Sequence, residues 1–334
     1  MEGLNERSKG TIVGAWVGDA LGAYLEFRHG ITQADVEKAL SLPGGGMHKV
    51  GPGQVTDDGE LTCALIHGLL KGKGTYNLNK IAAEYGRWIA SRPFDLGNTI
   101  RKSLPRASNL SQHQAEMVRR AARTSQSQSN GGLMRVSPLG VFLRHLSPQE
   151  VIQAVREEAV LTHTDSTIVS ACCFYVLLIV NLINGHDPRS SYLQAKEAIS
   201  SFCNQEFFEW LEMIEADSCN LPVNRNSGWG KIALVYSVRF LLEEKSFEEA
   251  MRSILIKGGD TDTNACILGA LIGAARGLSG VPAEYTEKVL TWEPKKGGIK
   301  RPSWLRPSVC FPLIEELIVI APESLKLKGS QAEY

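Results

Sequence analysis

Apolar residues recur at helical spacing along most of this chain. Ile81, Tyr85, Trp88 and Ile89, for instance, fall on one face of a helix. No segment shows convincing strand alternation, and no fixed-period repeat is visible, so the pattern predicts an all-α fold. Helices are expected at 9–25, 31–39, 61–70, 78–91, 112–123, 148–161, 168–183, 192–214 (one or two), 233–243, 247–256, 265–278, 282–289 and 313–320.

Two of these apolar segments, 61–70 and 265–278, directly follow a cluster of acidic and hydroxyl residues. Such clusters offer the hard oxygen ligands that Mg²⁺ or Mn²⁺ prefers, and a fold tolerates adjacent carboxylates when they are solvated or hold a cation. Ordinary capping of a buried helix would also place acids there. If the two helix starts converge, six ligands would surround two divalent ions. These residues are Thr56, Asp57, Asp58, Asp260, Asp262 and Thr263.

A stripe of small residues marks the first predicted helix. Gly10, Gly14, Gly18 and Gly22 recur every four residues and therefore lie on one helical face. Either another helix or a ligand could approach this face closely.

The acidic clusters lie far apart in the chain yet suit one shared site, which predicts one large domain. We expect this domain to span residues 9–325, between a flexible N-terminus (1–8) and a frayed tail (326–334). A hydrophobic content of 43% is ample for its core.

Composition excludes several classes of protein. With 36 basic and 36 acidic residues, bulk charge attracts neither nucleic acid nor a membrane surface. The longest apolar run, 168–183, is shorter than the roughly 20 residues of a membrane-spanning helix, and we interpret it as a central helix of a globular core. Seven cysteines without CxxC spacing favour a reducing cytoplasm.

Several motifs resemble those of the ADP-ribosylglycohydrolases. Thr56–Asp58 and Gly258–Thr263 resemble the paired metal motifs of that family. The similarity extends in the family's order to Gly18–Gly22 with Glu26, Phe94–Gly97, Asn130–Arg135, Leu161–His163 and Ser227–Trp229. The Phe94–Gly97 element resembles that of members that release ADP-ribose from arginine.

The resemblance implies a role for each matched residue. It implies two Mg²⁺ ions, with Mn²⁺ as a substitute, held by the six ligands above. It implies catalytic roles for Glu26, Asp58 and Asp95. The implied substrate-binding residues are Asn130, Gly131, Gly132, Met134, His163, Ser227, Gly228 and Trp229.

Three of these assignments have a plainer alternative in local chemistry. Asp95 could cap the helix that follows Gly97, His163 could be a buried structural histidine, and Trp229 could serve only packing. In addition, the family usually has Thr or Ser after Asp58, where this chain has Gly59, and this change is expected to loosen one metal site.

The resemblance implies an Mg²⁺-dependent hydrolase that removes ADP-ribose from a modified protein, most simply from arginine, with ADP-ribose as product. Hydrolysis of O-linked ADP-ribose or of a free ADP-ribose derivative is the alternative activity. A catalytically silent member that binds ADP-ribose, or an unrelated two-metal phosphohydrolase, would share some of the same residues.

Overall fold

The computed structural model describes residues 2–104, 113–124, 126–223, 225–322 and 324–325, so the predicted tail at 326–334 lies outside the described residues. The described residues form one helical domain with no strand, which confirms the all-α prediction. Its helices are α1 (Glu2–Gly22), α2 (Gln33–Leu40), α3 (Asp57–Lys71), α4 (Leu78–Ala90), α5 (Asn98–Ser103), α6 (His113–Ala121), α7 (Ser137–Phe142), α8 (Pro148–Ala159), α9 (Ser166–Ile183), α10 (Pro188–Ile199), α11 (Gln205–Glu215), α12 (Gly230–Leu242), α13 (Phe247–Leu255), α14 (Thr261–Arg276), α15 (Ala283–Leu290) and α16 (Pro307–Val319).

Local sequence explains where many helices begin. At α8, the Ser147 hydroxyl accepts a bond from the Glu150 N–H, and the Glu150 carboxylate accepts one from the Ser147 N–H. The same reciprocal capping box starts α2 at Thr32 and α13 at Ser246.

Helices α1 and α14 pack backbone to backbone through the glycine stripe. A Cβ atom added at Gly14 would lie 2.1 Å from the Gly269 carbonyl oxygen, and one added at Gly18 would lie 2.0 Å from that of Ala265. The stripe therefore serves helix packing rather than a ligand, and it sets the separation of the two helices.

Helix α9 is the buried centre of the domain. Among the described residues it is the one helix long and apolar enough to cross a membrane, yet 89% of it is buried inside the protein. Tyr175 fastens it to α14 by donating a hydrogen bond to the Ile267 carbonyl (2.9 Å). This burial agrees with the interpretation of 168–183 as a core helix.

Several helices begin earlier than the sequence pattern predicts, and two of them extend well into segments expected to be irregular. Helix α1 begins at Glu2, so residues 2–8, expected to be a flexible terminus, are helical. Helix α16 begins at Pro307, within a segment expected to be a proline-rich loop. Proline is compatible with the first turn of a helix, where its missing N–H has no intrahelical partner in any case.

Candidate active site

The acidic centre forms where three helix ends meet. Helices α3 and α14 both begin at the C-terminal end of α1, so their N-termini point into one buried region. The helix dipoles and free N–H groups at these N-termini favour negative charge. The convergence of the two predicted clusters is thereby observed.

Asp19, on the last turns of α1, organises this centre. Its buried carboxylate accepts hydrogen bonds from the Thr56 N–H (2.9 Å), the Thr56 hydroxyl (2.9 Å) and the Gly59 N–H (2.8 Å). Burial raises the pKa of Asp19 to about 7. A Cβ atom at Gly59 would lie 2.8 Å from Asp19 Oδ2 and 2.6 Å from Val55 Cβ, so the glycine makes room for this arrangement.

The carboxylates around Asp58 outnumber the protons available to them. The single Thr56 hydroxyl proton faces Asp19 Oδ1, Asp58 Oδ2 (3.2 Å) and Asp262 Oδ2 (3.3 Å). The Thr263 hydroxyl lies 3.3 Å from Asp58 Oδ2, while the buried Asp58 Oδ1 has no hydrogen-bond partner. Burial, then neighbouring negative charge, raises the pKa of Asp58 and of Asp262 well above the usual range.

This donor set fits divalent cations. Oxygen atoms of Asp19, Asp58 and Asp262 lie within 4.8 Å of one another, as do those of Glu26, Asp260 and Asp262. Crowded, buried carboxylates with an unpartnered oxygen are stabilised by a hard cation that accepts oxygen ligands. Asp19, which was not predicted as a ligand, belongs to the first group.

A second group of titratable side chains borders the acidic centre. His48 Nε2 lies 3.0 Å from Glu26 Oε2 and 3.4 Å from Asp95 Oδ2. The contact with Glu26, and the charge of Asp95, raise the pKa of His48. Burial raises the pKa of Asp95, which also interacts with Asp57, and raises that of Glu26 to about 7.

Asp95 does not cap the following helix. Helix α5 has Gly97 as its N-cap, without a side-chain capping bond. The capping alternative is therefore wrong, and Asp95 instead faces His48 at the centre. His48 was missed from the sequence because nothing in its own segment, 41–53, distinguishes it from an ordinary loop residue.

Beside Asp260, two loops pair to form an open cleft. Asn130 donates from Nδ2 to Asp260 Oδ2 (2.8 Å) and from its backbone N–H to the Gly228 carbonyl (2.9 Å). Trp229 donates from Nε1 to Gln128 Oε1 (2.9 Å), and its ring meets that of Trp210 edge-on. The cleft measures about 470 Å³ and is lined by Gln126, Gln128, Ser129, Arg225, Asn226, Ser227, Gly228 and Trp229.

Five predicted substrate residues are not part of the cleft lining, namely Asn130, Gly131, Gly132, Met134 and His163, and the last two lie behind it. His163 is fully buried beneath Gly131 and Gly132 and reaches the cleft wall through Ser129. Met134 is buried in the core, and its N–H bonds the Asn130 carbonyl, closing the turn. Of the predicted substrate residues, Ser227, Gly228 and Trp229 line the cleft directly, so Trp229 is both packed and available to a ligand.

A buried ion pair, also missed from the sequence, fixes the segment that carries Asp95. Arg301 binds both carboxylate oxygens of Glu60 in α3 (Nε to Oε1 2.6 Å, Nη2 to Oε2 2.8 Å). Its Nη1 also donates to the Ser91 and Arg92 carbonyls (2.9 and 3.0 Å), just before Phe94–Gly97. The start of α3 and the Asp95 segment are thus held by one guanidinium.

The chain's similarity to a known protein family assigns this helical fold and its acidic centre to a class of enzyme. The family model of the ADP-ribosylglycohydrolases matches residues 1–307, and the chain belongs to that family. Its class is therefore that of hydrolases acting on ADP-ribose glycosidic bonds.

Similar proteins cover nearly the same length. The ADP-ribosyl-[dinitrogen reductase] glycohydrolase of Rhodospirillum rubrum is 27% identical over 295 residues, covering 86% of this chain and 91% of the relative. The ADP-ribosylarginine hydrolase Tri1 of Pseudomonas putida is 25% identical (85% and 74%), and the ADP-ribosylhydrolase ARH3 of Gallus gallus is 24% identical (84% and 88%). A solved structure described as an ADP-ribosylglycohydrolase-related protein complex matches with a TM-score of 0.73 at 21% identity, over 96% of this chain and 100% of that one, and supports the fold.

Proposed function

We propose that this protein is an Mg²⁺-dependent hydrolase that releases ADP-ribose from modified arginine side chains of a protein substrate. The observation that carries the proposal is the position of His48 between two carboxylates, 3.0 Å from Glu26 and 3.4 Å from Asp95. A pair of carboxylates that flanks a planar nitrogen base has the charge and the acceptor geometry that a guanidinium requires. The name of the Pseudomonas putida relative, an ADP-ribosylarginine hydrolase, supports the same linkage.

The cation ligands in this proposal are the two acidic clusters. Thr56, Asp57, Asp58, Asp260, Asp262 and Thr263 would hold two Mg²⁺ ions, or Mn²⁺ in their place. When bound, such ions supply Lewis-acid chemistry that orients ribose hydroxyls and a water molecule. The unpartnered Asp58 Oδ1 supports this assignment, because a buried carboxylate oxygen is costly without a cation or a donor.

The site offers a separate place for each of three parts of the substrate: the adenosine with its phosphates, the ribose and the leaving group. The cleft beside Trp229 would accept the adenosine and phosphate groups, since it offers an aromatic ring, backbone N–H groups and one cation, Arg225. Asn130 holds the Asp260 carboxylate at the inner end of this cleft. Ribose would therefore lie over the acids, and the leaving group would lie beyond them.

Glu26 and Asp95 have different tasks in this arrangement. Asp95 pairs with the positively charged leaving group and holds it in line with the bond that breaks. Glu26, nearly buried, is the group that exchanges a proton with water or with the departing nitrogen. Carboxylates at both places also stabilise the positive charge that develops on the ribose carbon.

The test compares two linkages with and without metal. Purified protein is offered a peptide mono-ADP-ribosylated on arginine and a matched peptide modified on serine, each with Mg²⁺ or with excess chelator, and released ADP-ribose is measured. We expect release from the arginine peptide in Mg²⁺ only. Faster cleavage of the serine peptide would assign the O-linked activity instead, and binding of ADP-ribose without turnover of either peptide would identify a silent member.

A further inference from the structure

A chain of hydrogen bonds runs from helix α11 to the aromatic wall of the cleft. Glu206, in the first turn of α11, accepts a bond through Oε2 from Gln128 Nε2 (2.8 Å). Gln128 Oε1 in turn accepts one from Trp229 Nε1 (2.9 Å). Gln128 and Trp229 line the cleft, whereas Glu206 is not part of its lining. The carboxylate therefore acts on the cleft only through the amide between them.

The chemistry of the three groups allows this chain one polarity. An indole N–H can only donate, and an ionised carboxylate can only accept. The Gln128 amide has an oxygen at one end and an NH₂ group at the other, so it satisfies both neighbours in one orientation only. Turned over, it would set a donor against the Trp229 N–H and an oxygen against the Glu206 carboxylate. Glu206 thus determines which end of the amide faces the indole.

Glu206 is itself held by a second donor. Its Oε2 also accepts a bond from the Thr167 hydroxyl, at the start of α9 (2.8 Å). Asn204, the N-cap residue of α11, donates from Nδ2 to the Thr167 hydroxyl oxygen (2.8 Å). Because that oxygen accepts the bond from Asn204, its own proton is directed at Glu206. The carboxylate is therefore fixed relative to α9 and α11 rather than to the loop that it orients.

The position of Trp229 explains why such a restraint matters. Trp229 is the N-cap residue of α12 and is only partly buried, and the torsion that turns its ring is a soft one. The Trp210 ring (6.1 Å between ring centres) and the Lys231 ammonium (5.2 Å from the ring centre) also contact it. A hydrogen bond weakens steeply as its angle departs from linearity. The bond to Gln128 therefore selects one tilt of the ring.

We propose that Glu206 is a positioning residue for substrate binding: through Gln128 it sets the tilt of the Trp229 ring, on whose face the adenine of ADP-ribose stacks. This inference rests on the proposed function, since it takes the cleft beside Trp229 as the place of the adenosine. A ring turned away from this tilt offers the base less contact area. Loss of the Glu206 carboxylate therefore weakens binding, although Glu206 itself does not touch the ligand.

The experiment measures the dissociation constant for ADP-ribose by isothermal titration calorimetry in Mg²⁺. Glu206→Ala is expected to weaken binding about tenfold, the scale of one lost base–aromatic stacking contact. Glu209→Ala, which removes an exposed acid from the same helix, is the matched control and is expected to bind as the wild type does. The diphosphate of ADP-ribose is anionic, so removal of a carboxylate would, through charge alone, tighten binding rather than weaken it.

A double-mutant cycle tests whether the effect passes through the indole. Trp229→Phe keeps an aromatic ring but has no N–H for Gln128 to hold, so it is expected to weaken binding to a similar extent. In that background Glu206→Ala should cause no further loss. Thermal unfolding shows whether each variant folds. If Glu206→Ala does not fold, Trp229→Phe still tests the inference, because wild-type affinity in that variant would overturn it.

The outcomes separate this inference from the function on which it rests. Wild-type or tighter binding by Glu206→Ala, or losses that add in the double variant, would overturn the positioning role and leave the proposed hydrolase intact. A wild-type protein that does not bind ADP-ribose would overturn the proposed function and the positioning role together. If ADP-ribose binds with the expected differences but arginine adducts are not cleaved, the positioning role is confirmed and only the proposed activity fails.

Discussion

His163 Nε2 lies 2.8 Å from Ser129 Oγ, so a fully buried imidazole supports a hydroxyl in the cleft wall. The ring's other nitrogen, Nδ1, lies 2.8 Å from the Thr162 hydroxyl, which already accepts a bond from Arg135 Nη2 (2.7 Å). The Thr162 proton is therefore free to be donated to Nδ1, and Nε2–H donates to Ser129. This chain of bonds fixes a neutral histidine in one tautomer.

His163 should make stability depend on pH. Burial, and then the charge of Arg135, lowers the pKa of His163 from 6.5 to about 3. The unfolded chain therefore takes up this proton first as pH falls, and the stability due to neutral His163 is complete above pH 6.5 and lost towards pH 3. Between pH 7 and pH 5, the wild type should lose about 2 kcal/mol more unfolding free energy than His163→Gln.

Urea denaturation of both proteins in chelator at the two pH values measures this difference. Other groups titrate equally in both proteins, so the comparison isolates the histidine. The exposed His186→Gln serves as a control for loss of a histidine. Parallel pH dependence in wild type and His163→Gln would show that the buried ring is not held neutral.

Gly14→Ala should destabilise the protein although alanine favours helices. The added Cβ would overlap the Gly269 backbone, 2.1 Å from its carbonyl oxygen, so α1 and α14 would have to separate. Overpacking of this kind costs about 1–3 kcal/mol, which exceeds the helix-propensity gain of about 1 kcal/mol. Thermal or urea unfolding measures the loss.

Gly97→Ala is the matched control for that change. A Cβ at Gly97 has no neighbour within 4 Å, so no overlap arises there, and only the loss of a glycine N-cap, less than about 1 kcal/mol, is expected. If Gly14→Ala were as stable as Gly97→Ala, the close approach of the two helices would not be a real constraint.

Much of this architecture can be predicted from local sequence. The helical periods, the cap at Ser147 and the two acidic clusters are all encoded within short windows, and the clusters' position before apolar helices places them at N-termini. The glycine stripe indicates a close contact but does not identify its partner. That α14 is the helix packed against this stripe depends on tertiary packing, which cannot be predicted from a short window of sequence.

The residues missed from the sequence depend on long-range contacts. Arg301 pairs with Glu60 across 241 positions, and no local pattern connects them. His48 reaches Glu26 only because the turn between Gly45 and Val50 packs on the segment after α1. Such contacts are properties of the folded chain, so the sequence predicted Glu26 and Asp95 without the histidine between them.

Divalent metal should stabilise the wild type, and Asp58→Asn should remove most of that effect. A ligand that binds only the folded state contributes about 2.7 kcal/mol at a hundred times its dissociation constant. In chelator the variant should be more stable than the wild type, because one buried carboxylate no longer repels Asp19 and Asp262. Thermal unfolding with and without Mg²⁺ measures both effects.

Glu284→Gln, which removes an exposed acid from α15, is the control for the charge change. It should behave like the wild type in both conditions. An undiminished Mg²⁺ effect in Asp58→Asn would place the cation elsewhere.

Asp95→Asn should slow cleavage of arginine adducts by about tenfold or more, because a hydrogen bond to a charged group contributes roughly 1.5–3 kcal/mol. The substitution keeps the shape of the side chain and removes the charge that the guanidinium needs. Single-turnover release of ADP-ribose from an arginine peptide measures the rate.

Glu26→Gln provides the comparison, since it should impair every substrate that the enzyme accepts. An unchanged arginine rate in Asp95→Asn would contradict the assigned pairing while leaving the hydrolase assignment standing.

The contact between α1 and α14 also determines when this site can exist during synthesis. Gly22 at the end of α1 accepts a bond from the Thr261 hydroxyl, 239 positions later. At about 5–20 residues per second, a ribosome needs roughly 10–50 s to extend the chain from one to the other. During that interval the acids of α3 lack the acids of α14 that complete the site, and the glycine face of α1 is not yet packed against α14. A nascent chain that stops before α14 is thus a client for chaperones and proteases rather than a partly active enzyme.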